Sequence, residues 1–321
     1  MRNFMDYTGK WVYIFCIVLI LVPFAYFPGM SDFITPAIAL FAGLVFAFVF
    51  PNPYPKFNKK TSKYLLQASV VGLGFGMNLI KSLQSGAEGM AFTVVSVVGV
   101  MVLGILFGYY MHLARKTSYL IASGTAICGG SAIAAVGPVL KANEREMAVS
   151  LGVIFILNAI ALFIFPPIGH MFNMSEAQFG TWAAIAIHDT SSVVGAGEAY
   201  GPEALEIATL IKLTRALWII PLAFVTMLIF RDKTAKISIP WFIFLFVVAM
   251  VINTYCGLPA WLTGGLVYWA KKGMVLTLFL IGASLSLGTI RSVGVKPLLL
   301  AILLWVVIGL SSFFVVMETV R

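Results

Sequence analysis

Apolar runs of about 17 to 25 residues recur along the whole chain, separated by short stretches of proline, glycine or charge. A helix of that length crosses a hydrocarbon core of roughly 30 Å. Runs at 11–27, 33–50, 63–80, 89–111, 117–140, 147–168, 179–200, 204–230, 238–255, 268–290 and 297–317 predict about eleven transmembrane helices. Pro51-Asn52-Pro53-Tyr54-Pro55, Arg115-Lys116, Pro166-Pro167 and Arg231-Asp232-Lys233 mark their ends, because proline and clustered charge terminate apolar helices. The stretch 256–267 carries the least punctuation. Arg2 and Lys10 before the first run resemble a signal peptide, but Ala25-Tyr26-Phe27 is a poor cleavage site, so that run is read as a retained span. The pattern predicts an all-α polytopic membrane protein: one transmembrane domain over 1–321, with 1–30 an extra first span, 31–170 a first helical half and 171–321 a second.

Two of the runs are interrupted by polar residues. Ser123-Gly124-Thr125-Ala126-Ile127-Cys128-Gly129-Gly130-Ser131 and the alanine-rich residues after it bring three glycines and three hydroxyls to membrane depth. Backbone released from helical pairing in a bilayer must be buried in protein or line a wet cavity, and transporters build substrate sites from such breaks. A half-helix starting near Gly129-Gly130-Ser131 would point free amides and a positive dipole end at an anion. Ser123, Thr125 and Ser131 would add donors, with Cys128 beside them. Small residues at this spacing also suit a close helix crossing.

The second interruption reads His188-Asp189-Thr190-Ser191-Ser192, with Glu198 beyond it. Ionisable groups inside apolar spans are costly and point to function. A histidine beside a carboxylate suits a coupling proton, so His188 and Asp189 are assigned that role, with Ser191 and Ser192 near the solute. The alternative ends the span at His188 and leaves the cluster in a wet loop. Lys212 and Arg215 lie three apart, on one helical face, and two cations suit an anion. Snorkelling toward the membrane surface is the alternative. Asn158 reads either as an interhelical hydrogen-bonding residue or as cavity lining. The glycines at 72, 74 and 76 follow no strand and are followed by no suitably spaced acid, so they are read as packing glycines rather than a dinucleotide fingerprint. His112 and His170 stand apart from any cysteine at metal-ligand spacing, and neither a metal nor another cofactor is expected.

Composition agrees with the pattern: 61% hydrophobic and 10% charged residues, against roughly 45–50% and 25% in soluble domains. The net charge of +9 sits mainly in short connections and so reflects membrane topology rather than nucleic acid. With a cytoplasmic amino terminus, straight passage through every span puts thirteen Lys and Arg on inner segments and six outside, among them Lys141, Arg145, Lys271 and Lys272. This predicts a multi-pass protein of the bacterial inner membrane with an external carboxyl end. Cys16, Cys128 and Cys256 are odd in number and are read as free thiols.

Laying Gly72 on Gly282 aligns residues 71–82 with 281–292, spans of opposite direction, as an inverted repeat requires. A second echo, Ala135-Val136-Gly137-Pro138 against Ala199-Tyr200-Gly201-Pro202, does not fit a tandem duplication.

From Ser123 to Lys141, at His188-Asp189, at Lys212-x-x-Arg215, at Ile239-Pro240-Trp241-Phe242 and at Gly294-Val295-Lys296-Pro297-Leu298-Leu299, the sequence resembles the bacterial sulfate exporter family typified by YeiH. The likeness covers nearly the whole chain. The family pattern carries His-Glu where this chain has His188-Asp189, one methylene shorter. The resemblance implies the cation/proton antiporter and bile acid symporter superfamily: inverted five-helix repeats, two crossed broken helices, a panel and a core, and elevator-like alternation. The family label does not fix the cargo.

These readings converge on a secondary active transporter, not an enzyme, exporting a small oxyanion such as sulfate or a sulfonate with proton coupling. Its partners would be the anion, protons or sodium and the lipid bilayer, with a homodimer compatible with the glycine-rich faces and no nucleic acid. The alternatives are a cation/proton antiporter using Asp189 and Glu198, and an intramembrane enzyme using His188 and Asp189 with Ser191 or Cys128 as nucleophile.

Overall fold

A computed structural model describes residues 2–23, 34–230, 240–285 and 293–320, with side chains outside 2–6 and 81–92. Among these residues the regular structure is entirely α-helical. The helices are α1 Arg2–Leu21, α2 Pro36–Val49, α3 Pro55–Gly74, α4 Leu79–Tyr110, α5 Arg115–Ala126, α6 Gly130–Val139 and α7 Glu144–Met171. They continue with α8 Glu176–Ala186, α9 Thr190–Tyr200, α10 Pro202–Leu217, α11 Ile219–Phe230, α12 Trp241–Tyr255, α13 Ala260–Ser284 and α14 Val295–Thr319. Starts follow local chemistry. Proline opens α2, α3 and α10, where its missing amide costs nothing, and reciprocal capping boxes open α7 at Asn143/Glu146 and α8 at Ser175/Gln178.

The predicted spans are found in order, but several boundaries move. Helix α7 runs on through Pro166 and Pro167 to Met171, α3 and α4 begin well before 63 and 89, and α13 begins at Ala260. Membrane helices tolerate internal proline because neighbours re-satisfy the freed carbonyls. The boundary at Arg231-Asp232-Lys233, the Ile239 part of the family likeness and the 286–292 part of the glycine echo lie outside the described residues.

The chain divides into two compact units, residues 1–79 with 242–287 and residues 80–241 with 288–321. In the first, α13 packs against α2 and α3 through reciprocal glycines. A Cβ on Gly43 would collide with the Phe279 carbonyl, one on Gly282 would come 2.6 Å from the Leu40 carbonyl, and one on Gly72 would come 2.7 Å from Ala270 Cβ. These glycines therefore serve close packing. Lys272 is buried midway along α13 and donates to the Val22 carbonyl at 3.1 Å, beyond the end of α1. The assignment of Lys271 and Lys272 to an outer segment is thus overturned, because the helix starts eight residues earlier than the 268 predicted.

In the second unit the two interrupted spans do not pass through; each folds back. Lys116 at the start of α5 donates to the Lys141 carbonyl just past α6 at 2.8 Å, and Gly124 faces Ile133. At the other pair, Glu176 on the first residue of α8 accepts from the Glu203 and Ala204 amides at 2.7 and 3.1 Å. The rings of Phe179 and Tyr200 stack 3.8 Å apart, and Tyr200 donates to the Met174 carbonyl at 2.6 Å. Arms of ten to twelve residues are about 15–18 Å long, half a bilayer core. Both are re-entrant hairpins rather than crossed broken helices.

Helix α7, 28 residues long, starts beside the open end of the first hairpin and ends beside that of the second. The hairpins therefore enter from opposite ends, and their tips meet near its middle. Helix α14, 25 residues long, runs between the same two ends, with Lys296 donating to the Met111 carbonyl at one and Gln178 donating to the Val320 carbonyl at the other.

The hairpins also redistribute charge. Arg115, Lys116, Lys141, Arg145 and Lys296 share one end of this unit with Glu144 and Glu146, while the other carries Glu176, Glu203 and Glu318. Lys141 and Arg145 thus leave the outer segments to which straight passage assigned them. Cysteines placed at 116 and 141, in a chain with its own three cysteines replaced by serine, are expected to react with an impermeant maleimide from the same side of the membrane. Labelling from opposite sides would show that this segment crosses after all.

Candidate functional site

The tips occur where helical pairing is locally impossible or replaced. In the first, Ile127 leaves the helix and Gly129 takes φ +63°, ψ −123°, a conformation open only to glycine. Its amide donates back to the Gly124 carbonyl at 2.8 Å, and α6 starts at Gly130 without a side-chain cap. In the second, Ile187 and Asp189 are extended and Asp189 caps α9. Its Oδ1 accepts from the Ser192 amide at 3.0 Å and its Oδ2 from Ser191 Oγ at 2.6 Å. Asn158, halfway along α7, supports this tip: Oδ1 accepts from the His188 and Asp189 amides at 3.1 and 3.2 Å. The two tips touch, since a Cβ on Gly129 would lie 3.2 Å from Asp189 Cβ and 3.1 Å from Ile154 Cγ2 on α7.

Each hairpin ends its first helix inside the protein, where carbonyls without helical partners concentrate negative potential. Helix α10 supplies one cation to each. Arg215 Nη2 donates to the Ala126 carbonyl ending α5 at 2.6 Å, and its Nη1 donates to Ser96 Oγ on α4 at 2.9 Å. Lys212 Nζ donates to the Ile187 and Ala184 carbonyls ending α8 at 2.6 and 3.2 Å. Both side chains are fully buried, so neither snorkels. With Asp189, the tips hold two buried cations and one buried carboxylate.

The structure brings Thr125, Cys128, Gly129, His188, Asp189, Ser191, Ser192, Lys212 and Arg215 into this buried region. Ser123 is buried there too, but its Oγ donates to the Leu120 carbonyl of its own helix at 2.8 Å. Gly130 is half-buried and Ser131 exposed in the first turn of α6. His188 and Asp189 are not in a wet loop, being only 1% and 9% exposed. Sequence reasoning missed Ser96, a serine in an unremarkable apolar run, and Trp305, whose ring lies 6.3 Å from that of His188. Trp305 carried a usable signal: tryptophan favours membrane interfaces, yet this one lies mid-span.

Fold and site together define an all-α polytopic membrane protein with two re-entrant helical hairpins joined at their tips. The chain belongs to the family described as Conserved hypothetical protein 698, whose profile matches residues 13–301. It is 64% identical over 293 residues to a UPF0324 membrane protein of Bacteroides thetaiotaomicron, covering 89% of this chain and 88% of that one. A UPF0324 membrane protein of Porphyromonas gingivalis is 55% identical over 291 residues, with coverages of 89% and 88%. UPF0324 membrane protein Bd1437 of Bdellovibrio bacteriovorus is 45% identical over 301 residues, with 91% and 92%. No solved structure matches the chain.

Proposed function

We propose that this membrane protein is a secondary active transporter that exports a small oxyanion, such as sulfate or a sulfonate, through the hairpin tips. The observation that carries the reading is the charge balance there: two buried cations against one carboxylate, at the middle of the membrane. In a low-dielectric interior an uncompensated positive charge is costly, and an anionic solute relieves it. The positive end of α6, whose N-cap is a glycine without a side chain, also faces this region, with Thr125 and Cys128 beside it. The negative helix ends offset only about half a charge each, so Lys212 and Arg215 leave net positive charge for a solute to meet. His188 and Asp189 would carry the coupling proton. The two-unit division supports an elevator-like motion that carries the site with one unit.

The basic end of the second unit, carrying Lys116, Lys141 and Arg145, would face the cytoplasm by the positive-inside rule, in the bacterial inner membrane. A cation/proton antiporter is less well supported, because Lys212 and Arg215 place two positive charges at the tips beside Asp189. An intramembrane hydrolase is also disfavoured, since Ser191 donates to Asp189 rather than to His188.

Sulfate, sulfite or a sulfonate is expected to raise the melting temperature of the purified protein, by about 2.7 kcal/mol of added stability at a hundredfold excess over Kd. A pH gradient should drive uptake of the same anion into proteoliposomes. Stabilisation by sodium alone, with no response to any of these anions, would overturn the proposal.

A further inference from the structure

Buried polar side chains in folded proteins are nearly always hydrogen-bonded, so a local concentration of exceptions marks a place where something else supplies partners. Thr125 Oγ1, Asn158 Nδ2, both ring nitrogens of His188, Arg215 Nε and Trp305 Nε1 are buried without a partner among the described residues. They come from α5, α7, the second hairpin tip, α10 and α14, and the tip residues among them are each at most 3% exposed.

A comparison within the same aromatic stack shows that the free indole nitrogen is not a general property of this packing. Phe165 lies between two tryptophans, stacked on Trp182 at 4.3 Å and on Trp305 at 5.9 Å. Trp182 satisfies its nitrogen on the Gly309 carbonyl at 2.9 Å. Trp305 does not, and its ring centroid lies 6.3 Å from that of His188, with 37° between the ring planes. Ring contacts with both Phe165 and His188 restrict the indole, which makes its N–H a preorganised donor.

Building on the transport reading, we infer that Trp305 is a solute-binding residue whose indole N–H, together with His188, hydrogen-bonds one oxygen of the transported anion. The chemistry selects the class. An indole nitrogen only donates and a neutral imidazole offers one donor, so the atom between them must accept two hydrogen bonds. An oxyanion oxygen does this; a sodium ion has no acceptor to offer. The donor is charge-assisted when the acceptor is anionic, which doubles its strength relative to a neutral pair.

The test is Trp305→Phe, which keeps a ring against Phe165 and removes only the N–H. Sulfate and methanesulfonate affinities are read from thermal shifts and isothermal titration of the full chain, with Trp182→Phe in parallel. Trp305→Phe should bind whichever of these anions the native protein binds about tenfold or more weakly, the range for one hydrogen bond to a charged group. Its melting temperature without anion should be unchanged or higher, since an unpaired buried donor is gone. Trp182→Phe should behave oppositely, melting lower without anion and binding normally. If the native protein binds and Trp305→Phe binds equally well, Trp305 is structural and this inference fails while the transport reading stands. If the native protein binds no tested anion, the transport reading itself falls, and this one with it.

Discussion

A Gly129→Val variant is expected to lose most of its transport and several degrees of melting temperature, while Gly130→Ala one residue later remains close to native. Gly129 sits at φ +63°, ψ −123°, where any side chain costs on the order of 1–3 kcal/mol in backbone strain. A Cβ there would already stand 3.1 Å from Ile154 and 3.2 Å from Asp189, and valine adds two methyl groups at the point where the tips touch. The strain cannot be relieved by moving the tip, because the Ala126 carbonyl is held by Arg215 and the facing tip by Asn158. Gly130 opens α6 with no positive φ, and a Cβ there meets nothing closer than Leu151 at 3.3 Å. Thermal unfolding in detergent and anion flux in proteoliposomes compare the pair. Native-like melting and flux in Gly129→Val would refute the tip geometry.

Arg215→Leu should be nearly as damaging, and Arg215→Lys intermediate. The leucine variant leaves the Ala126 carbonyl unpaired in a buried setting, at about 1–3 kcal/mol, while Ser96 keeps its own bond to the Thr93 carbonyl. It also exposes the negative end of α5 to the membrane interior. Lysine restores the charge, but its single nitrogen lacks the planar fork that reaches Ala126 and Ser96 together. The expected order of melting temperature is native, then Arg215→Lys, then Arg215→Leu. Sulfate affinity should follow the same order, because removing this cation leaves Lys212 and Asp189 to cancel each other. Equal affinity in all three proteins would remove positive charge from the account of anion binding.

Part of this site was legible in the residues. Gly129-Gly130 flanked by Ser123, Thr125 and Ser131 within an apolar run points to a break, whereas Gly264-Gly265 stays helical within α13. His188-Asp189 announces another by putting two ionisable groups at membrane depth. Lys212 and Arg215 could be placed on one face by spacing alone. Their partners could not, because the Ala126 and Ile187 carbonyls become acceptors only after the hairpins expose them. The direction of each chain reversal was equally hidden. A kinked span and a re-entrant hairpin have the same hydrophobic pattern, and what separates them is a contact such as Lys116 to Lys141, 25 residues apart. The echo between 135–138 and 199–202 also reads differently now, since both stretches lie toward the returning ends of hairpins that enter from opposite sides.

Hydrophobic run length by itself determined an all-helical membrane protein, because a bilayer leaves a chain of this composition few ways to satisfy its backbone. Polar residues inside those runs likewise determined where the helices must break. Which way the chain leaves each break, which carbonyls the two cations meet and that Trp305 lies beside His188 were decided by tertiary structure alone. Each depends on atoms distant in sequence being brought within hydrogen-bonding or packing range, and no periodicity along the chain encodes that distance.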